Sequence, residues 1–250
     1  MSNALKIIGV IPARYKSSRF PGKPLVPIAG KPMIIHVAEK VEAALGKENT
    51  FIATDDDTIR DVVKQHGYQV VMTSETCKTG TDRLYEVSQK IAADIFINVQ
   101  GDEPFVDPAD IVKVAKAKEA QPDVIINGMC NLLPEEDPHS VNIPKVVVTK
   151  DNKLLYMSRL AVPGIKDPKV GVPVYKKQVC IYAFNKEELK AYGAYDDKAN
   201  CELYEDIEIL RFLDAGFNVQ MVETGGNTIA VDTPEDVIKA EAFIKERSKA

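Results

Sequence analysis

The stretch from Val10 to Pro32 constrains this chain more than any other. An apolar run, Ile7 to Ile11, leads into it, and a helical pattern, Met33-Ile34-Val37-Ala38-Val41, leads out. A strand, a long loop and a helix therefore follow one another. The loop carries Arg14, Lys16, Arg19, Lys23 and Lys31 and no acidic residue. Five cations so close together repel unless something anionic sits between them. Gly22 and Gly30 permit tight turns or a close approach to a ligand, while Pro12, Pro21, Pro24 and Pro27 stiffen the path. A stiff cationic loop at the carboxyl end of a first strand is where an α/β sheet binds phosphate. The competing reading, a solvated basic surface loop, suits an arbitrary Lys/Arg cluster better than one at the first strand-to-helix crossover. Familiar phosphate loops do not fit. Gly22-Lys23 and Gly30-Lys31 are each followed by Pro, so neither is a Walker loop, and no Gly-x-Gly-x-x-Gly occurs.

The rest of the chain is a contrasting background. Net charge is −5 and the pI about 5.4, which argues against nucleic acid as a partner and makes the loop a local trap for a small anion. At 250 residues, one large α/β domain is expected, with room for a small appendage. The apolar runs are short strands, so neither a membrane span nor a signal peptide is expected. Cys77, Cys130, Cys180 and Cys201 are scattered without a Cys-x-x-Cys, which predicts free thiols in a reducing cytoplasm.

Strands and helices alternate through the first half, predicting βαβ units and a mostly parallel sheet. Phe51 to Thr54 reads as a strand, and Asp55-Asp56-Asp57 after it caps a helix near 57–65 or, alternatively, holds a metal. Val70-Val71-Met72 is the next strand. Lys78-Thr79-Gly80-Thr81-Asp82-Arg83-Leu84 opens a helix, with Thr81 or Asp82 as its cap, and its amides and hydroxyls suit a base or ribose. Ile95 to Val99 is a strand of the kind buried on both faces. It ends in Gln100-Gly101-Asp102-Glu103-Pro104, either a plain turn or a place for a divalent cation, since magnesium takes one or two carboxylates plus substrate phosphates. From about 132 to 173, prolines separate short β-rich runs, as in an inserted arm, and Val174 to Phe184 is again a strand. Arg159 suits a carboxylate or a surface ion pair. Glu202, Glu205, Glu208 and Arg211 recur every third residue, predicting one helix with Leu203, Ile207 and Leu210 inward. Thr233, Pro234 and Asp236 cap a last helix; Asp232 lies before the cap, which does not explain it.

Ile11-Pro12-Ala13-Arg14-Tyr15, Ser18-Arg19, Pro21-Gly22-Lys23-Pro24-Leu25 and Gly30-Lys31-Pro32-Met33-Ile34 resemble the opening of the 3-deoxy-manno-octulosonate (Kdo) cytidylyltransferase family. Gly80-Thr81-Asp82-Arg83-Leu84, Gln100 to Pro104 and Val231-Asp232 extend the similarity nearly end to end. The resemblance implies an α/β fold of nucleotide-diphospho-sugar-transferase type: a mostly parallel sheet flanked by helices, with a β-rich arm. It would form a single domain over 1–250, the arm at about 132–184 serving acceptor binding and dimerisation. The implied activity joins CMP from CTP to Kdo for lipopolysaccharide, in a cytoplasmic homodimer. Arg14, Lys23 and Asp102 would be catalytic. Pro12, Ala13, Arg14, Ser18, Arg19 and Lys23 would hold the nucleotide from the first loop; Thr79, Gly80, Thr81, Arg83 and Gln100 would hold it from the other side. Gln100, Arg159, Gln178, Tyr182 and Glu202 would face the acceptor, with Asn142, Lys145 and Ser158 in similar places. Asp102 and Asp232 would carry Mg2+. One segment departs from the pattern: Gln178 and Cys180 stand where the family has His and Gly before Ile181-Tyr182. An amino analogue of Kdo, another sugar acid or a phosphonate is therefore an alternative acceptor, and a noncatalytic nucleotide sensor is the alternative of another class.

Overall fold

The computed structural model describes residues 5–16, 20–226 and 230–247. The chain opens with β1 (Ile7–Ala13), passes through a small hairpin of β2 (Pro27–Ile28) and β3 (Lys31–Pro32), and enters α1 (Met33–Leu45). It then alternates through β4 (Thr50–Thr54), α2 (Asp57–Gln65), β5 (Gln69–Met72), α3 (Gly80–Lys90), β6 (Ile95–Val99), α4 (Pro108–Ala120) and β7 (Ile125–Asn131). The second half holds β8 (Lys145–Val148), β9 (Leu154–Ser158), β10 (Lys176–Phe184), α5 (Lys186–Tyr192), α6 (Asn200–Glu205), α7 (Ile209–Asp214), β11 (Val219–Glu223) and α8 (Pro234–Arg247).

The strands run in the order β11-β7-β10-β6-β1-β4-β5, with β8 and β9 continuing from β10. β6, β1, β4 and β5 are parallel, as are β7 and β11. β4 and β6 are buried over their whole length, because helices cover both faces of the sheet. α1 buries Met33, Ile34, Val37, Ala38 and Val41, the stripe its sequence period predicts. Asp56 caps α2 by accepting from the Ile59 amide at 2.9 Å, so the Asp triplet is a helix start.

Three expectations change. First, the arm is not wholly outlying: β10, its last strand, lies inside the central sheet, antiparallel between β6 and β7. Second, the cap of α3 is Thr79, which accepts from the Asp82 amide while Asp82 answers the Thr79 amide; the actual cap lies two residues before Thr81. Third, Glu202 to Arg211 is not one helix. The backbone turns left-handed at Asp206, φ 50°, so α6 ends there and α7 starts in a new direction. Leu203 is exposed, whereas Glu202 and Arg211 are buried, the reverse of a solvated charged face.

A bulge interrupts the pairing of β10 with β7 between Val179 and Tyr182. The buried Asn127 amide donates to the Val179 carbonyl at 3.0 Å and the Ile181 carbonyl at 2.9 Å, satisfying what the ladder leaves open. Gln178 Nε2 in turn donates to Asn127 Oδ1 at 3.0 Å. Among the described residues no helix is long and apolar enough to cross a membrane, and all four cysteines are unpaired.

Candidate active site

The loop after β1 is fixed by its backbone. Gly22, left-handed at φ 70°, donates to the Tyr15 carbonyl at 2.9 Å and precedes a tight turn at Lys23–Leu25 closed by Leu25 donating to Gly22 at 2.9 Å. That turn aims Lys23 inward, where Nζ lies 2.9 Å from Asp102 Oδ2 and 3.0 Å from Asp232 Oδ1. Burial works to lower the pKa of this ammonium, but the two carboxylates outweigh it and the net shift is upward.

Asp102 is delivered by the turn that follows β6. Gly101 is needed there, because a Cβ would stand 2.8 Å from the Pro12 carbonyl oxygen. Asp232 comes from the far end of the chain. The Val231 amide donates to the Asp102 carbonyl at 3.0 Å, tying the two acids' backbones together. Asp236, in the first turn of α8, accepts from the Asp232 amide at 3.2 Å and the Thr233 amide at 3.1 Å, so the cap that ends the loop also fixes Asp232.

Two hollows meet at this point. Pro12, Ala13, Arg14, Lys23, Thr79, Gly80 and Arg83 line the first. Asn142, Arg159, Lys177, Gln178, Cys180 and Tyr182 line the second. Gln100, Asp102, Asp206, Glu208 and Asp232 belong to both and form the wall between them.

Most of the residues singled out by sequence thus converge, but several do other work than expected. Thr81 is buried and lines neither hollow; its amide and that of Gly80 donate to Glu208 at 2.8 and 3.1 Å. A carboxylate of the chain itself therefore occupies the helix start that seemed open to a base or ribose. Burial pushes the Glu208 carboxyl up, against the hydrogen bonds from Thr81 and Gly80 that favour its ionised form. Arg83 reaches the first hollow but is spent on Asp55, 3.1 Å away, and on the Thr73 hydroxyl at 2.7 Å. Glu202 lines neither hollow. It is fully buried, bound to Arg211 Nε at 2.6 Å and Nη2 at 2.7 Å and to the Tyr192 hydroxyl at 3.0 Å. Glu202 thus sits in a buried ion pair outside both hollows. Ser18 and Arg19 lie outside the described residues.

The expected mutual repulsion of the loop cations is also resolved internally. Lys16 pairs with Glu75 at 2.9 Å and Lys31 with Glu39 at 2.6 Å. Arg14 is exposed in the first hollow and makes no ion pair among the described residues.

Arg159 donates through Nη1 to the Val141 carbonyl at 2.8 Å, through Nη2 to the Asp206 carbonyl at 2.9 Å, and through Nε to the Glu205 carbonyl. A guanidinium has five N–H donors, so two remain for a ligand. Sequence reading missed Asp206 and its partner Lys198, which line the first hollow. The only signal was the acidic run Glu205-Asp206-Ile207-Glu208, which looked like a helix face.

A cytidylyltransferase family model matches residues 8–223. The 3-deoxy-manno-octulosonate cytidylyltransferase of Parabacteroides distasonis is 40% identical over 254 residues, covering 97% of this chain and 100% of that protein. The chain belongs to this family.

Another Kdo cytidylyltransferase, from Escherichia coli, is 36% identical and covers 96% of each chain. A solved CMP:2-keto-3-deoxy-manno-octonic acid synthetase complexed with CTP superposes with a TM-score of 0.88 at 36% identity, over 97% of this chain and 99% of that one. A glucose-1-phosphate thymidylyltransferase from Bacillus anthracis, at TM-score 0.69 and 18% identity over 96% of each chain, shares the fold alone. The resemblance read from the opening motifs and the α/β sheet it implied are both borne out. The protein is a nucleotidyltransferase of the Kdo cytidylyltransferase family.

Proposed function

We propose that the protein transfers CMP from CTP to 3-deoxy-D-manno-octulosonate, giving CMP-Kdo and pyrophosphate. The observation that carries this reading is the pair of hollows sharing one wall of Gln100, Asp102, Asp206, Glu208 and Asp232. Two substrates lodged on either side would meet across that wall. CTP belongs in the first hollow, beside Arg14 and Lys23, whose positive charges answer the triphosphate. The sugar acid belongs in the second, where the two unspent N–H groups of Arg159 suit a carboxylate. The anomeric hydroxyl forms a bond to the α-phosphorus and gives up its proton to solvent water, while the bond from that phosphorus to the bridging oxygen breaks and pyrophosphate leaves with the electron pair. Arg14 and Lys23 balance the charge that grows on the leaving group.

Asp102 and Asp232 fit a divalent cation, since both already converge on one positive centre, Lys23 Nζ. Magnesium takes one or two carboxylates and completes its shell with substrate phosphates, which suits this pair beside the first hollow. Bound there, magnesium would supply a Lewis acid that neutralises the phosphate and makes the hydroxyl more acidic. The reading includes a homodimer working in the cytoplasm.

One observation favours a second acceptor reading. Cys180 lines the second hollow at the β10 bulge, and the Gln178 amide is engaged by Asn127. A related acid with a different shape near this wall would then be preferred over Kdo. The test supplies CTP, magnesium and Kdo, or a panel of other sugar acids, and follows pyrophosphate together with the mass of the product. CMP-Kdo is expected; no pyrophosphate release with any acid would overturn the transfer reaction.

A further inference from the structure

We infer that Lys23 is a built-in counter-ion that keeps the divalent-cation site closed until the nucleotide arrives, so that metal and CTP enter together. This rests on the reading of Asp102 and Asp232 as the cation's ligands. Lys23 Nζ stands within hydrogen-bond distance of both carboxylates, 2.9 and 3.0 Å, the place a shared cation would take. Its Nζ occupies the point where the two carboxylates converge, so an ion cannot bridge them there without moving it. The ammonium offsets one unit of the negative charge that Asp102 and Asp232 would otherwise present, so a free dication is less strongly attracted.

The same geometry gives the lysine somewhere else to go. It lines the first hollow with Arg14, where the triphosphate would lie. Phosphate oxygens there can accept the ammonium as the carboxylates release it, and the carboxylates are then free for the cation. Only the side chain needs to move. The backbone of Lys23 is pinned by its own amide to the Phe20 carbonyl at 3.2 Å and by the Val26 amide to its carbonyl at 3.2 Å. Val26 in turn accepts from Met33 at 2.9 Å, at the head of α1. The four-carbon stem swings on a fixed base. A lysine that served only as a phosphate ligand would affect CTP binding but not metal binding in the absence of CTP.

The experiment titrates Mn2+ into metal-free wild type, Lys23→Met and Lys23→Arg, following free Mn2+ by electron paramagnetic resonance, first without nucleotide and then with CTP but no acceptor. Without nucleotide, Lys23→Met should bind Mn2+ at least roughly tenfold more tightly than wild type, since it exposes both carboxylates. Lys23→Arg, which keeps the charge, should resemble wild type. CTP should tighten Mn2+ binding to wild type far more than to Lys23→Met. Thermal unfolding gives a second readout that does not depend on activity. Lys23→Met should melt lower than wild type in metal-free buffer, because both carboxylates lose the ammonium they share, and should gain more from saturating magnesium. Equal Mn2+ affinity of wild type and Lys23→Met without nucleotide would overturn the inference. So would an equal rise in Tm with magnesium. If neither protein binds Mn2+ even with CTP, both the closed site and the ligand assignment fall. A failed gate alone leaves pyrophosphate release from CTP and acceptor intact.

Discussion

Asp102 and Asp232 are far apart in sequence and meet at one lysine, and both were legible without coordinates: one stands just past a buried strand, the other just before a cap that does not require it. Asp102→Asn and Asp232→Asn are each expected to lower kcat by about a hundredfold or more, the scale of losing one preorganised charge. Near-normal turnover of either at saturating magnesium would remove that residue from the reaction. Gln178 and Cys180 were equally visible as departures, but their physical state was not. Only the structure shows the bulge at Cys180 and the Asn127 amide that holds it. If these two residues reshape the acceptor hollow, Gln178→His/Cys180→Gly should raise kcat/KM for Kdo while leaving KM for CTP unchanged; a variant no better with Kdo, from a parent already efficient with it, marks the pair as neutral. Cys77 permits a prediction with a definite sign. Burial and its hydrogen bond to Glu86 push its thiol up to about 12, so it stays protonated and unreactive at neutral pH and gains thiolate only as pH climbs toward that value. At pH 8, iodoacetamide followed by peptide mapping should label exposed Cys201 well before Cys77. Faster labelling of Cys77 would contradict its placement.

The regular elements were read well because their signals are local: a period of 3.6 in α1, continuous apolar runs in β4 and β6, an Asp cap before α2. The joint between α6 and α7 was not, because a three-residue recurrence of charges says nothing about a left-handed turn at Asp206, a residue type that tolerates one without announcing it. That turn decides what Glu202 does. Glu202 joins a buried chain in which the Thr79 hydroxyl contacts that of Tyr192 at 3.0 Å, Tyr192 donates to Glu202, and Glu202 holds Arg211, which reaches Asp82 at 3.0 Å. The chain therefore ends on both halves of the α3 cap, beside the first hollow. Arg211→Met should cost about 3–5 kcal/mol in urea unfolding, since it strands a buried carboxylate. Glu202→Gln should also lower stability and leave KM for the sugar acid unchanged. A stable Glu202→Gln with a raised acceptor KM would restore the acceptor assignment.

On the scale of the whole molecule, the arm leaves several large apolar side chains uncovered. Leu160, Val170, Val172 and Val174 are each at least two-thirds exposed, and Tyr204 of α6 is 81% exposed. A second copy of the chain is the partner our reading expects to cover them. Light scattering after size exclusion should give twice the chain mass, and Val172→Asp with Val174→Asp should shift it toward one; an unchanged mass would place the contact elsewhere. Dimerisation is an expectation carried by resemblance, whereas the place of β10 could not be read at all, because sequence order does not reveal that a late strand inserts between two earlier ones. That insertion bears on how the protein is made. The ribosome releases β6 and β7 before β10 exists, so each nascent strand waits with an open hydrogen-bonding edge that only a later segment can fill. The sheet cannot grow outward from a finished half. It closes from within, and until β10 and then β11 have emerged the newborn chain carries three edges waiting for later strands, one on β6 and two on β7.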